Sequence, residues 1–210
     1  MRPILRSVVF VTFEGLDGSG KSTQAARLRI RLEGLGREVV AVREPGGTLL
    51  GEGIRGLLLD GVGELSPWAE AALFTAARAE LVERVIQPAL ARGADVVCDR
   101  YLDSSLAYQG AGRGLGLERV LAINLEAVGG LLPDRTFLLV LPPEAARRRV
   151  EGEPDRIERE GDAFRARVEG GYRALVERFP DRIVPIDGEG APEEVAARID
   201  EQLRDLSGAG

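Results

Sequence analysis

The run Gly15-Leu16-Asp17-Gly18-Ser19-Gly20-Lys21-Ser22, followed by Thr23, fits the pattern G-x-x-x-x-G-K-[ST]. Its glycines let backbone N–H groups curl around an anion. Lys21 sets an ammonium among the outer phosphate oxygens, and the Ser22 hydroxyl is a ligand for Mg²⁺. The chemistry this serves is binding of a nucleoside triphosphate, with Gly15 to Thr23 as the cradle. Lys21 is also the only lysine, so arginine supplies the other 27 of the 28 basic residues. Placed at random, a single lysine would fill that slot in roughly one sequence of this length in 200. Arginine's planar fork does not replace a compact ammonium among phosphate oxygens, which gives the exception a physical reason.

Two absences narrow the chemistry further. There is no histidine, which removes Ser-His-Asp and Cys-His nucleophiles, imidazole bases and histidine-held metals. The single cysteine, Cys98, excludes an internal disulfide and a thiolate zinc cage. Carboxylates, guanidiniums, hydroxyls and metal on oxygen remain. A guanine-reading Asn-Lys-x-Asp loop cannot exist with Lys21 as the sole lysine, and a motor ATPase normally brings a larger chain. A small phosphotransferase is the leading class.

Arg43 and Arg100 each follow a strand end, where two guanidiniums could fork onto an acceptor phosphate. The bland alternative is two surface arginines among many. Asp99 closes an apolar strand; it could hold Mg²⁺ through water, orient Arg100, or cap a helix. Phe74 and Arg78 are four apart and share a helix face, although in Leu-Phe-Thr-Ala-Ala-Arg the Phe is as readily a core residue.

Short, wholly apolar strands alternate with helices along the chain. The strands are expected at 8–13, 39–43, 95–98, 136–141 and 183–186. The helices are expected at 21–35, 49–59, 66–91 with a bend near Pro88, 104–109, 117–128, 143–150, 163–179 and 192–206. Residues 151–161 are charged and aperiodic, a candidate mobile loop. The pattern is that of an α/β fold: a five-stranded parallel sheet with helices on both faces, binding ligands at the carboxyl ends of its strands.

The 210 residues suit one domain spanning 1–210 with no linker. Apolar residues at 44% and charged ones at 30% are ordinary for a globular protein. A net charge of −6 argues against a broad polyanion surface, so no nucleic acid partner is expected. No apolar run reaches the ~18 residues of a membrane span, and the start does not read as a cleaved signal peptide. A cytoplasmic location without membrane attachment is the expectation.

Four motifs carry a family resemblance. They are Phe13-Glu14-Gly15 with Asp17 to Thr23; Arg43-Glu44-Pro45-Gly46-Gly47-Thr48; Asp99-Arg100-Tyr101 with Ser104 to Gly110; and Asp155-Arg156-Ile157-Glu158. In this order the chain resembles bacterial thymidylate kinases from about Val8 to Glu158. The resemblance implies a P-loop kinase fold, phosphoryl transfer from ATP to dTMP with Mg²⁺ on Ser22 and Asp99, and a homodimer. It further implies that Phe74 stacks on thymine and Arg78 reaches a base carbonyl. Ser105 would bond the base edge, Tyr108 lie against the sugar, Asp17 take the 3′-hydroxyl, and Arg43 and Arg100 hold the acceptor phosphate; Gln109 has no assigned role. Some relatives carry an arginine in the phosphate loop where this chain has Gly18, so the catalytic cations beside Lys21 and Arg100 are expected from a lid at about 151–160. Arg156 is the first candidate and Arg149 the second; the bland alternative pairs Arg156 with Glu158 or Glu160. Glu151-Gly152 departs from the Arg-Gly common there. The rival readings are another nucleoside or deoxynucleoside monophosphate kinase and a non-catalytic ATP-binding regulatory module.

Overall fold

The computed structural model describes residues 8–61, 63–149 and 153–205. Strands β1 (Phe10–Glu14), β2 (Val39–Arg43), β3 (Asp95–Asp99), β4 (Arg135–Val140) and β5 (Ile183–Asp187) form one parallel sheet in the order β2-β3-β1-β4-β5. β1 therefore lies at the centre, and the chain reverses its direction of winding there. The crevice above its carboxyl end is where such sheets bind ligands.

Both faces are covered, as apolar strands require. Val11 and Phe13 of β1 point to one side with Val97, Phe137 and Ile186, under α1 (Lys21–Gly34) and α9 (Pro192–Asp205). Phe10 points to the other with Val96, Cys98 and Leu138. Against it pack α3 (Pro67–Leu81) and α8 (Asp162–Arg178), through Leu81, Phe164, Val168 and Tyr172. On that second face β1 also presents Thr12 and Glu14, both buried. Thr12 pairs with Thr136 at 2.8 Å, and Thr136 donates to buried Asp103 at 3.0 Å, which receives Arg182 as well. The polar line is thus satisfied internally, as burial demands.

Three helices widen to π-type turns: after α2 (Leu49–Gly56) at Leu57–Gly61, after α3 at Val82–Ile86, and after the short α5 (Leu102–Ser105) at Leu106–Gly112. The irregularity expected at Pro88 comes before it, and α4 (Gln87–Ala91) carries Pro88 in its first turn, where a missing N–H costs nothing. The third wide turn keeps Gly110 and Gly112 helical, past residue 109 where the sequence pattern ends the helix. A Cβ on Gly112 would lie 2.8 Å from the Phe164 ring, so glycine there admits α8. Beyond α6 (Leu117–Ala127) and α7 (Pro143–Arg148), the aperiodic segment carries a 3₁₀ turn at Glu158–Glu160 and buries Ile157. Val150, Glu151, Gly152 and Leu206 lie outside the described residues.

Candidate active site

Two adjoining cavities open above the strand ends. The larger, about 680 Å³, is lined by Asp17, Gly18, Ser19, Gly20, Lys21, Ser22 and Thr23 on its floor. The loop reaches this shape through three glycines at positive φ, Gly15 (137°), Gly18 (79°) and Gly20 (96°). A Cβ on Gly15 would stand 2.6 Å from the Leu139 carbonyl, so no other residue fits where β1 turns into the loop. Gly20 then hands the chain to α1, whose first N–H groups have no partner within the helix and mark an anion site. Gly15 and Leu16 build the turn and do not line the cavity. The Leu16 carbonyl instead accepts from Lys21 Nζ at 2.8 Å, holding the ammonium under the loop.

Lys21 is 6% exposed. Its burial, and then the Arg100 charge, push its pKa down to about 8, against the pull of Asp17, Asp99 and Glu14. Lys21 Nζ lies 3.8 Å from Asp17 Oδ1, and an arriving polyphosphate would add further negative charge beside the ammonium. Ser22 Oγ donates to Asp99 Oδ2, so the hydroxyl and carboxylate expected at Mg²⁺ share one edge of this cavity. Both are hard oxygen donors, as Mg²⁺ prefers, and a hydroxyl with one carboxylate leaves places for phosphate oxygens and water. No group of three His, Cys, Asp or Glu among the described residues forms a protein-only metal cage.

The smaller cavity, about 120 Å³, is lined by Phe74, Ser105, Tyr108 and Gln109 together with Asp17, Glu44, Arg55 and Arg100. Asp17, Glu44, Arg55 and Arg100 line both cavities and so mark their junction. Arg100 donates to Asp17 Oδ1 at 2.5 Å and to Ser104 Oγ at 3.1 Å, with its guanidinium 5.2 Å from the Tyr108 ring centre. Burial would raise the Asp17 pKa, but Arg100 and then Lys21 outweigh it and hold it down at about 2.

Arg100 is the only non-glycine residue at positive φ among the described residues (70°). That conformation costs of order 1 kcal/mol and must be over-determined by its surroundings. Glu14 supplies the restraint. Its buried carboxylate accepts from the backbone N–H groups of Tyr101 (2.8 Å) and Ser104 (3.1 Å), from Ser104 Oγ (2.6 Å) and from Tyr172 Oη (2.8 Å). Burial outweighs the pull of Arg100 and raises the Glu14 pKa.

The other expected residues fall in different places. Phe74 is half-buried: one side packs on the core with Leu59 and Leu73, and the other faces the smaller cavity. Ser105 lines that cavity while its Oγ accepts from Arg78 at 3.0 Å. Arg78 itself is 1% exposed and lies behind the wall. Four hydrogen bonds hold it, to Glu44, Ser105, Asn124 and the Tyr101 carbonyl, and its Nη2 also lies 2.6 Å from Glu44 Oε2. Arg43 is exposed on the rim of the larger cavity, 3.4 Å from Glu52, and does not line the smaller one. Arg149 lines the larger cavity beside Gly188. Arg156 does not line either one. Its guanidinium pairs with buried Glu70 at 2.7 Å and donates to the Leu58 carbonyl at 2.8 Å, so neither Glu158 nor Glu160 is its partner.

Glu44 and Arg55 line both cavities, and Glu70 and Glu14 brace residues of the smaller one from behind; the sequence motifs contain Glu14 and Glu44 but assign none of the four a role. Glu70 also accepts from Gln109 (2.9 Å) and from Arg113 (3.1 and 2.8 Å), and Arg113 bridges to Glu160 at 2.5 Å. Burial would raise the Glu70 pKa, but hydrogen bonds from Arg113, Gln109 and Arg156 outweigh it and lower it. Arg55 has no sequence signal separating it from the other arginines. Glu14, an acid ending an apolar run just before the loop, and Glu44, following a strand end, carry a local signal.

Residues 13–199 match the family model described as thymidylate kinase. A thymidylate kinase of Bifidobacterium longum is 47% identical over 203 residues, covering 95% of this chain and 98% of that protein. One of Gloeobacter violaceus is 49% identical over 200 residues, covering 91% and 94%. Among solved structures, a thymidylate kinase from Ehrlichia chaffeensis superposes with a TM-score of 0.80 at 31% identity, over 94% of this chain and 99% of that one.

Proposed function

The chain belongs to the thymidylate kinase family and so transfers the γ-phosphoryl group of ATP to dTMP, giving ADP and dTDP; we propose that the larger cavity holds ATP and the smaller one dTMP. The observation carrying this assignment is the junction. Asp17, Arg55 and Arg100 line both spaces, so an acceptor phosphate held by Arg55 and Arg100 would lie against the outer phosphate on Lys21.

Phosphoryl transfer needs alignment and neutralisation of spreading negative charge more than it needs acid–base chemistry. At neutral pH a phosphate monoester is already mostly dianionic, so the absence of histidine is no obstacle. The loop amides and Lys21 hold the donor phosphates. Arg100 and Arg55 fix the acceptor phosphate, and Arg149 adds a cation from the far wall of the ATP cavity. Mg²⁺, when bound on Ser22 and Asp99, would neutralise phosphate oxygens of the donor. Phe74 offers a face to thymine, Ser105 an edge contact, Tyr108 its ring to the sugar, and Asp17 an acceptor for the 3′-hydroxyl. Arg78 supports Ser105 and Glu44; a direct contact with the base would trade one of its present partners. Arg43 meets phosphates from the rim.

ADP release measured across the nucleoside monophosphates tests the acceptor. dTMP should exceed dCMP, dAMP and dGMP by 10² or more, since a pocket built for a base's hydrogen bonds penalises one that leaves them unmade. Equal rates with another deoxynucleoside monophosphate would reassign the smaller cavity. Helices α2 and α6 both pack against α3, and Leu49 and Leu50 on α2, Leu57 just after it, Trp68 on α3 and Ile123 on α6 are exposed; we place the second copy of a homodimer on this side, and light scattering should report twice the chain mass for the protein and the single mass for Leu50→Glu.

A further inference from the structure

Glu70 is fully buried, four residues before Phe74 on α3, and its two oxygens serve different parts of the molecule. Oε1 accepts from Gln109, a wall residue of the acceptor cavity; Oε2 forms an ion pair at 2.7 Å with Arg156, from the segment that follows residue 152. The neighbours of Arg156 complete the picture. Asp155 and Ile157 line the acceptor cavity, and Glu158 lines the ATP cavity. Arg113 braces both sides. Its guanidinium joins Glu70 to Glu160 and stacks 4.7 Å over Phe164 at the start of α8. Arg156 is further pinned to the wide turn after α2 through the Leu58 carbonyl.

Two arginines and two carboxylates balance in this cluster, and a buried pair loses most when only one partner is removed. A surface loop would not need such an anchor. The carboxylate that positions Gln109 for the acceptor is the one that holds the segment lying over both cavities.

Resting on the assignment of the smaller cavity to dTMP, we infer that Glu70 is a positioning residue that couples acceptor binding to lid closure: a pyrimidine nucleoside monophosphate seated on Phe74 and Gln109 steadies the Glu70–Arg156 contact and so keeps residues 153–160 over ATP. Coupling of this kind is reciprocal, so dTMP should tighten ATP binding by the factor that ATP tightens dTMP binding.

The test is the dissociation constant of a non-hydrolysable ATP analogue (AMP-PNP with Mg²⁺), measured with and without saturating dTMP in the full chain. In the wild type dTMP should tighten the analogue by about tenfold, within the usual range of site–site coupling. In Glu70→Gln and Arg156→Gln the ratio should fall to within about twofold of one, while Arg156→Lys, which keeps the charge, should retain most of it. A merely structural staple would lower the melting temperature and leave the ratio alone. If Glu70→Gln fails to fold, Arg156→Gln, which alters only the lid's half of the contact, carries the test. A wild-type ratio near one, or a wild-type ratio in folded Glu70→Gln or Arg156→Gln, overturns the inference. Wild-type turnover on dTMP is measured in the same preparation. Its absence would sink the acceptor assignment, whereas turnover with an unchanged ratio in the variants sinks the coupling alone.

Discussion

The phosphate loop and the acceptor cavity lie side by side, yet they are built in opposite ways. The loop is nine consecutive residues, Gly15 to Thr23, and works mainly through backbone N–H groups and one ammonium. The acceptor cavity draws Arg55 from α2, Phe74 from α3, Arg100 from the end of β3 and Tyr108 and Gln109 from a wide helical turn. Charges in its walls and behind them are already paired with one another: Arg100 with Asp17, Arg78 with Glu44, Arg156 with Glu70. A site made of local backbone can wait open for its anion. One made of distant side chains needs mutual restraints to keep its shape, and the restraints become part of how it responds.

The sharpest break in this comparison is Lys21→Ala. The loop has no second ammonium, so turnover should fall by 10² or more while circular dichroism shows the fold retained. Near-normal turnover in the folded variant would remove the ATP site from the loop.

Next comes the lid pair. Arg149 faces the ATP cavity and Arg156 faces Glu70, so Arg149→Ala should lower kcat by about 10² with dTMP KM nearly unchanged, and Arg156→Ala should act mainly on the coupling of the two substrates. The reverse pattern would return the catalytic cation to Arg156, the first candidate from sequence.

A smaller effect belongs to the sugar. If the Tyr108 ring lies against C2′, Tyr108→Ala should cut the preference for dTMP over its ribonucleotide by about tenfold, roughly the worth of one small group's fit. An unchanged ratio would take Tyr108 out of the sugar pocket.

The smallest is a pH effect. Polyphosphate favours charged Lys21, whose pKa in the free protein is about 8, so the pKa rises on binding. ATP affinity should then be level below pH 8 and weaken above it by up to tenfold per unit, with proton uptake seen by calorimetry in buffers of different ionisation enthalpy. In Lys21→Arg, whose charge does not titrate there, the slope should vanish. Folding responds in the opposite direction: a lysine with a depressed native pKa makes the empty protein gain stability as pH rises between about 8 and the unfolded value of 10.5.

The contrast also explains what could be read in advance. All five strands and the loop are local patterns, and they stand within a few residues of where periodicity and glycine spacing put them. The wide turns are invisible because nothing in Leu57–Gly61 or Val82–Ile86 distinguishes them from ordinary helix; packing decides. Glu70 looks like any acid in a first helical turn, where the dipole alone would justify it. Its partners lie 39, 43 and 86 residues away, and only the fold brings them together. Arg156 shows the other side of this: its motif is plain, but which carboxylate would claim it is a long-range fact.

The most direct test of the two-cavity arrangement is to follow the label of [γ-³²P]ATP through single turnovers with dTMP. The expected result is one labelled dTDP for each ADP, with almost no inorganic phosphate when dTMP is present. Label appearing as inorganic phosphate at a rate indifferent to dTMP would contradict direct transfer between the two cavities.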